Sequence, residues 1–205
     1  MEKNIVLSTA YLPPVDFFKS AGGFSLCIID PIELYQKQSY RNRTYIYSPN
    51  GIQPLIIPIL RPYNIAVKDV KIDYKMEWQR NHWRAIQTAY NNSPFFEFYQ
   101  DYFAPFFNQK TPFLYDFNFE LIQLCNKLLK NDTTTFRTTK PNESFEIKNS
   151  ENLHPKRPSI YSYKPYNQVF NDKFGFIQNL SILDLLFNVG PDSFSYIMSN
   201  FDTNE

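Results

Sequence analysis

The chain predicts an α/β fold: a mixed sheet with one early βαβ crossover and a β-hairpin, followed by a mainly helical second half. Three observations predict it. Two continuous apolar runs, at residues 5–8 and 25–30, flank a short segment that opens at a proline pair and stops at a glycine pair. An Asn-Gly turn then joins two further apolar runs. From residue 76 onward, apolar positions recur at helical spacing.

Each element has a local reason. Ile5-Val6-Leu7-Ser8 is rich in branched residues and suits a short buried strand. Pro14 has a fixed φ and can open a helix over 15–19, and Gly22-Gly23 can close it. Residues 25–30 form a second buried strand, so the unit is a crossover between parallel strands, with its carboxyl edge at residues 8–11 and at Asp30. Residues 44–47 and 54–59 flank Ser48-Pro49-Asn50-Gly51, a hairpin signal because Asn and Gly accept positive φ. Residues 67–72 alternate apolar and polar and predict an edge strand. Helices follow over 76–91, 94–107 and 112–130, two of them with proline at the expected first turn. The polar, Thr-rich stretch 131–159 predicts a mobile excursion, and 180–187 and 192–198 predict closing helices around Gly190-Pro191. No repeat or clean linker interrupts the chain, so residues 1–205 read as one domain.

Composition narrows the function. Apolar residues make up 43% and charged residues 20%, as in a globular domain. The net charge of +1 supplies no field for nucleic acid or acidic membranes, so anion binding has to be local and no nucleic-acid partner is expected. No run is long enough to span a bilayer, and the first apolar run is too short for a signal peptide. The expectation is therefore a cytoplasmic protein without membrane insertion. The 20 Phe and 15 Tyr fit either an AT-rich genome or an aromatic-lined pocket. Cys27 and Cys125 sit among apolar neighbours and read as buried thiols, with neither a disulfide framework nor a zinc spacing. No metal site, Gly-rich phosphate loop, nucleophile elbow or carboxylate dyad is present, so neither a cofactor nor an oligomeric state is specified.

Three segments concentrate donors, cations and aromatics. His82 lies on a helical stripe with Trp78, Ala85, Ile86 and Ala89. It reads either as a core histidine or as a proton-transfer group at a pocket wall. Lys37, Arg41 and Arg43 punctuate a run that also holds Gln36, Gln38, Tyr40 and Asn42. That run is either a solvated surface or an anion site. Its place after the second strand, where open α/β sheets receive ligands, favours the site. In that arrangement Tyr11 and Trp78 form the floor, and the three cations hold phosphate or carboxylate oxygens. Asn42 fixes a hydroxyl or amide, and the catalytic candidate His82 moves a proton. Replacing Arg41 or Arg43 with Lys is expected to weaken anion binding with the fold intact, because a point charge cannot reproduce a bidentate fork. Lys156 and Arg157, between prolines, form a second basic spot that is either a flap or an ordinary loop.

Several of these segments carry a resemblance. Ala10-Tyr11-Leu12-Pro13-Pro14-Val15-Asp16-Phe17-Phe18, the run from Tyr35 to Arg43 and Leu55-Ile56-Ile57-Pro58-Ile59 resemble the WbqC-like family. So do Trp78 with His82-Trp83-Arg84-Ala85-Ile86, Pro94-Phe95-Phe96-Glu97-Phe98-Tyr99, and the late runs Tyr166-Asn167-Gln168-Val169-Phe170 and Gly175 to Asn188. The resemblance implies a bacterial protein of O-antigen or similar surface-polysaccharide biosynthesis, with a small anionic or sugar ligand. One reading is a cytoplasmic transferase that modifies an amino sugar or nucleotide-linked sugar by acyl or glycyl-type transfer. The other is a non-catalytic ligand-binding or scaffold protein of the same pathway. Ser8-Thr9 and Asp16 depart from the Gln-Pro pair and the Gly found in more distant members.

Overall fold

The computed structural model describes residues 4–60, 64–132, 134–138 and 153–199. Strand β1 (Asn4–Leu7) runs parallel to β2 (Leu26–Ile29), joined through helix α1 (Val15–Ala21). This is the predicted crossover, and it forms because Ile5, Leu7, Cys27 and Ile29 are all buried on the same sheet. A third parallel strand, β5 (Thr135–Thr138), pairs with β2 and gives the order β1-β2-β5. Phe136 of β5 stacks on Phe17 of α1 at 6.0 Å, which ties the late strand to the early crossover. Residues 135–138 were expected to belong to a polar excursion, so the strand is a correction. Of the expected excursion at 131–159, residues 133 and 139–152 lie outside the described residues.

The hairpin is antiparallel, with β3 (Arg43–Ser48) paired to β4 (Gly51–Ile56) in a sheet of its own. Ser48 pairs with Gly51, whose φ of 93° is the left-handed conformation that the turn demands. Pro54 sits on the exposed edge of β4, where its missing N–H does no harm.

Residues 67–72, expected as an edge strand, instead open with a 3-10 turn at Val67–Asp69. Their alternation has a different cause. Val70 and Ile72 are buried, and the backbone is held by isolated bridges to Ile59 and Phe113 rather than by a sheet. The amide of Leu114 donates to the Val70 carbonyl (2.9 Å) and that of Ile72 to the Pro112 carbonyl (3.0 Å). Those bonds go with an extended Phe113, so the next helix begins two residues after Pro112.

The second half is helical as expected, with α2 (Trp78–Tyr90), α3 (Phe96–Asn108) and α4 (Leu114–Leu128). A short α5 (Asn171–Phe174) precedes α6 (Ile182–Val189) and α7 (Ser193–Met198). Helix α2 buries Trp78, His82, Ile86 and Ala89, one stripe at i, i+4, i+8 and i+11. Helix α3 packs Phe96 and Phe103 onto Phe187 of α6. Ser181 caps α6 by accepting from the Leu183 amide. The parallel and antiparallel sheets and this helical layer close on one aromatic core. The carboxyl edge of β1 faces the turn that leads into the hairpin.

Candidate functional site

Leaving β1, the chain presents Ser8 and Thr9. Leaving β2, it folds back so that Glu33 meets them. The Ser8 hydroxyl donates to Glu33 Oε2 (2.7 Å) and the Thr9 amide to Glu33 Oε1 (3.2 Å). Arg41 closes the group. Its Nε donates to Glu33 Oε1 (3.1 Å), Nη1 to Gln36 Oε1 (3.3 Å) and Nη2 both to Ser8 Oγ (3.0 Å) and to Glu33 Oε2. With Arg41 only 6% exposed, this is a buried guanidinium with four of its five N–H donors engaged. Beside it lies a cavity of about 10 Å³, room for one water at most, lined by Ser8, Thr9, Tyr40 and Arg41. Thr9 Oγ1 is buried here with no partner among the described residues.

The neighbouring cleft is larger, at about 260 Å³. Tyr40 and Tyr45, edge to face at 6.3 Å, form one wall. Arg157, Ser159, Gln178 and Asn179 form the other. Asp16 lies beneath that second wall and organises it. Its carboxylate accepts from Ser159 Oγ (2.8 Å), Tyr163 OH (2.7 Å) and Asn179 Nδ2 (2.8 Å), while its amide donates to Asn179 Oδ1 (2.9 Å). Asn179 holds a φ of 57°, a left-handed conformation that asparagine tolerates and that turns its amide onto Asp16. Burial raises the Asp16 pKa, and the hydrogen bonds from Tyr163 and Ser159 oppose that rise.

Positive charge gathers at the same edge. The His154 pKa is lowered by burial and further by the nearby Arg157, Lys156, Arg41 and Arg43 cations. Leu153 lines the small cavity while Pro155 and Arg157 line the cleft, so residues 153–157 run along both. The second basic spot of the sequence therefore joins the first in space.

The expected site divides. Tyr11, Trp78 and His82 do meet, but inside the core. The Tyr11 hydroxyl lies 2.9 Å from His82 Nδ1, and the Trp78 and His82 ring centroids are 5.1 Å apart. The imidazole also bonds to the Ile56 backbone, so donating there leaves Nδ1 to accept from Tyr11. Burial lowers the His82 pKa to about 4, leaving a neutral ring near pH 7. Asn42 holds the chain rather than a ligand, its Nδ2 donating to the Ile57 carbonyl at 2.9 Å. Arg43 is half-buried at the start of β3, and Lys37 is exposed without an ion-pair partner among the described residues. Tyr11 still links the two groups, because its amide donates to the Tyr40 carbonyl at 2.9 Å.

Sequence reasoning passed over Glu33, Asp16, Ser159 and Asn179. Asp16 and Asn179 stood in runs that carry the family resemblance, Ala10 to Phe18 and Gly175 to Asn188, but no sequence signal assigned either a role at a site. Among the described residues no group of three His, Cys, Asp or Glu could hold a metal ion, and no helix is long and apolar enough to cross a membrane.

A model of the WbqC-like protein family matches residues 9–154, which include Tyr40, Arg41 and His154, while the Arg157 to Asn179 wall lies beyond it. An uncharacterized protein of Mycobacterium tuberculosis is 21% identical over 230 residues, covering 96% of this chain and 98% of its own. No solved structure matches.

Proposed function

On the premise that the chain belongs to the WbqC-like protein family, we propose that it binds a small anionic sugar, such as an amino-sugar phosphate, for surface-polysaccharide assembly. What supports this reading is the make-up of the 260 Å³ cleft, in which two tyrosine rings face an arginine, a serine and two side-chain amides. A sugar ring needs an apolar face to lie against and amides and hydroxyls to fix its own hydroxyls. An anionic substituent needs the cations that lie around His154. The Asp16 bonds hold Ser159 and Asn179 in place before a ligand arrives, which lowers the ordering cost of binding. Among the described residues, the side chains of Tyr40, Tyr45 and Gln178 make no hydrogen bond, which leaves them to the ligand.

The reading gives His82 no part in chemistry. Its two ring nitrogens are committed to Tyr11 and Ile56, and it belongs to the core beneath the site. The family resemblance also suggests group transfer to a sugar amine, and binding is the part of that activity which the cleft supports.

Isothermal titration with glucosamine 6-phosphate tests the proposal. Saturable binding is expected, with N-acetylglucosamine weaker because it lacks the anion. Gln178→Ala should weaken the sugar phosphate about fivefold, the value of one net hydrogen bond. Tyr45→Ala should weaken it about tenfold through the lost ring face. If the sugar phosphate does not bind, or binds both variants as it binds the native chain, the proposal is wrong.

A further inference from the structure

Helix α3 carries aromatic residues on two faces, and the core accounts for one. Phe96, Phe103 and Phe107 are buried. Phe95, Phe98, Tyr99 and Tyr102, spaced i, i+3, i+4 and i+7, form a second stripe, half-buried at Phe95 and Tyr99 and exposed at Phe98 and Tyr102. Phe98 is 69% and Tyr102 50% exposed, so these rings contribute little to the fold. They line a pocket of about 440 Å³, within the usual size range of small-ligand sites.

The pocket has a rigid back and a charged rim. The Phe95 ring lies against Gly190, where an added Cβ would come within 2.6 Å of it, and the Phe95 amide donates to the Phe187 carbonyl at 2.9 Å. Across from the aromatic stripe, the carboxyl end of α4 supplies Lys127 and Lys130. Neither lysine has an ion-pair partner among the described residues, and none of the lining residues is acidic. Lys130 holds a φ of 54° just past the end of α4, the position at which glycine would serve without strain. Here a side chain with an ammonium group occupies it.

We propose that this pocket is a second binding site, one that takes a mononucleotide. The base stacks on Phe98 and Tyr102 and the phosphate lies between Lys127 and Lys130. Aromatic rings suit a planar base better than a saturated sugar, and two cations without an ion-pair partner among the described residues match one phosphate. The chain's net charge of +1 does not favour a long nucleic acid. The site shares no lining residue with the sugar cleft.

Titration of the full chain with AMP, adenosine and ribose 5-phosphate tests this. AMP should bind one to one, about fivefold or more tighter than adenosine, with ribose 5-phosphate weakest. Phe98→Ala should weaken AMP about tenfold through lost stacking. Lys130→Gln should remove the advantage of AMP over adenosine. Both side chains are at the surface, so unchanged circular dichroism is expected. Gln178→Ala, in the sugar cleft, should leave AMP binding as it was. Absence of AMP binding would overturn the proposal. So would binding indifferent to both Phe98→Ala and Lys130→Gln. Self-association abolished by Phe98→Ala would make the stripe an interface between copies and would equally overturn it.

Discussion

His82 and Asp184 are buried titratable groups whose pKa values move in opposite directions. Burial brings His82 down to about 4 from an ordinary 6.5. The unfolded chain therefore takes up a proton that the native core refuses. Stability from this site is full above 6.5 and is lost as pH falls through the window to about 4, by on the order of 3 kcal/mol. Asp184 is raised by burial from 3.8 to about 6, against hydrogen bonds from Tyr166 and Gln168. Its contribution is full below 3.8 and is lost as pH rises through about 6, again on the order of 3 kcal/mol. The two nearly cancel between roughly pH 4 and 6. Urea denaturation across that range should find Asp184→Asn losing stability on acidification more steeply than the native chain. His82→Gln should show the opposite slope. Parallel profiles for all three proteins would contradict this assignment.

Arg41 was expected to be a ligand contact whose replacement would spare the fold. Its burial against Glu33, Ser8 and Gln36 makes it a structural residue first. Arg41→Ala strands a carboxylate that is only 16% exposed, so a loss of about 3–5 kcal/mol is expected in chemical denaturation. Adding Glu33→Gln should restore part of it, because the stranded charge is then gone. An undiminished loss in the double variant would mean that packing, not charge, sets the value. Glu33 itself was invisible in the sequence. It lies 25 residues after Ser8 and 8 before Arg41, with no spacing rule to connect the three.

At the level of elements, the turn at Gly190 is the tightest junction between α6 and α3. Its φ of 66° and the Phe95 ring leave no room for a methyl group. Gly190→Ala should lower stability by about 2–4 kcal/mol, combining left-handed strain with overpacking. Gly23→Ala is the control, because nothing lies within 4 Å of its added Cβ. That change should fall within about 0.5 kcal/mol of the native value. Equal effects at the two positions would refute the packing account. Gly190-Pro191 was readable in the sequence as a break between helices, and so were the crossover, the hairpin and the five longer helices. Strand β5 was not. Its Thr135-Phe136-Arg137-Thr138 has one apolar residue among polar neighbours, too short a pattern to declare a period, and only pairing with β2 defines it. Residues 67–72 failed in the opposite way, because burial of Val70 and Ile72 between neighbouring segments mimics strand alternation.

On the scale of the molecule, the two thiols report on the whole core. Cys27 lies in β2 and Cys125 in α4, both buried and both with pKa values pushed up by burial. Neither should react with a thiol reagent in the native state, and both should react after denaturation, at rates that follow global unfolding. Rapid native-state labelling of one would show that its element opens alone. The candidate surface was legible only as separate segments. The run from Tyr35 to Arg43 and the Lys156-Arg157 spot were both visible as basic, but their meeting around His154 depends on how residues 153–157 cross the β1 edge.

The late arrival of β5 also bears on how the chain is made. Strands β2 and β5 are neighbours in the sheet, yet the hairpin and α2 to α4 separate them in sequence. A chain growing from the ribosome completes β1, α1 and β2 long before Thr135 exists. Throughout that interval β2 offers a bare row of backbone donors and acceptors to any passing strand. A nascent chain stopped short of Thr135 keeps that row open, and its fate is to clump rather than to wait.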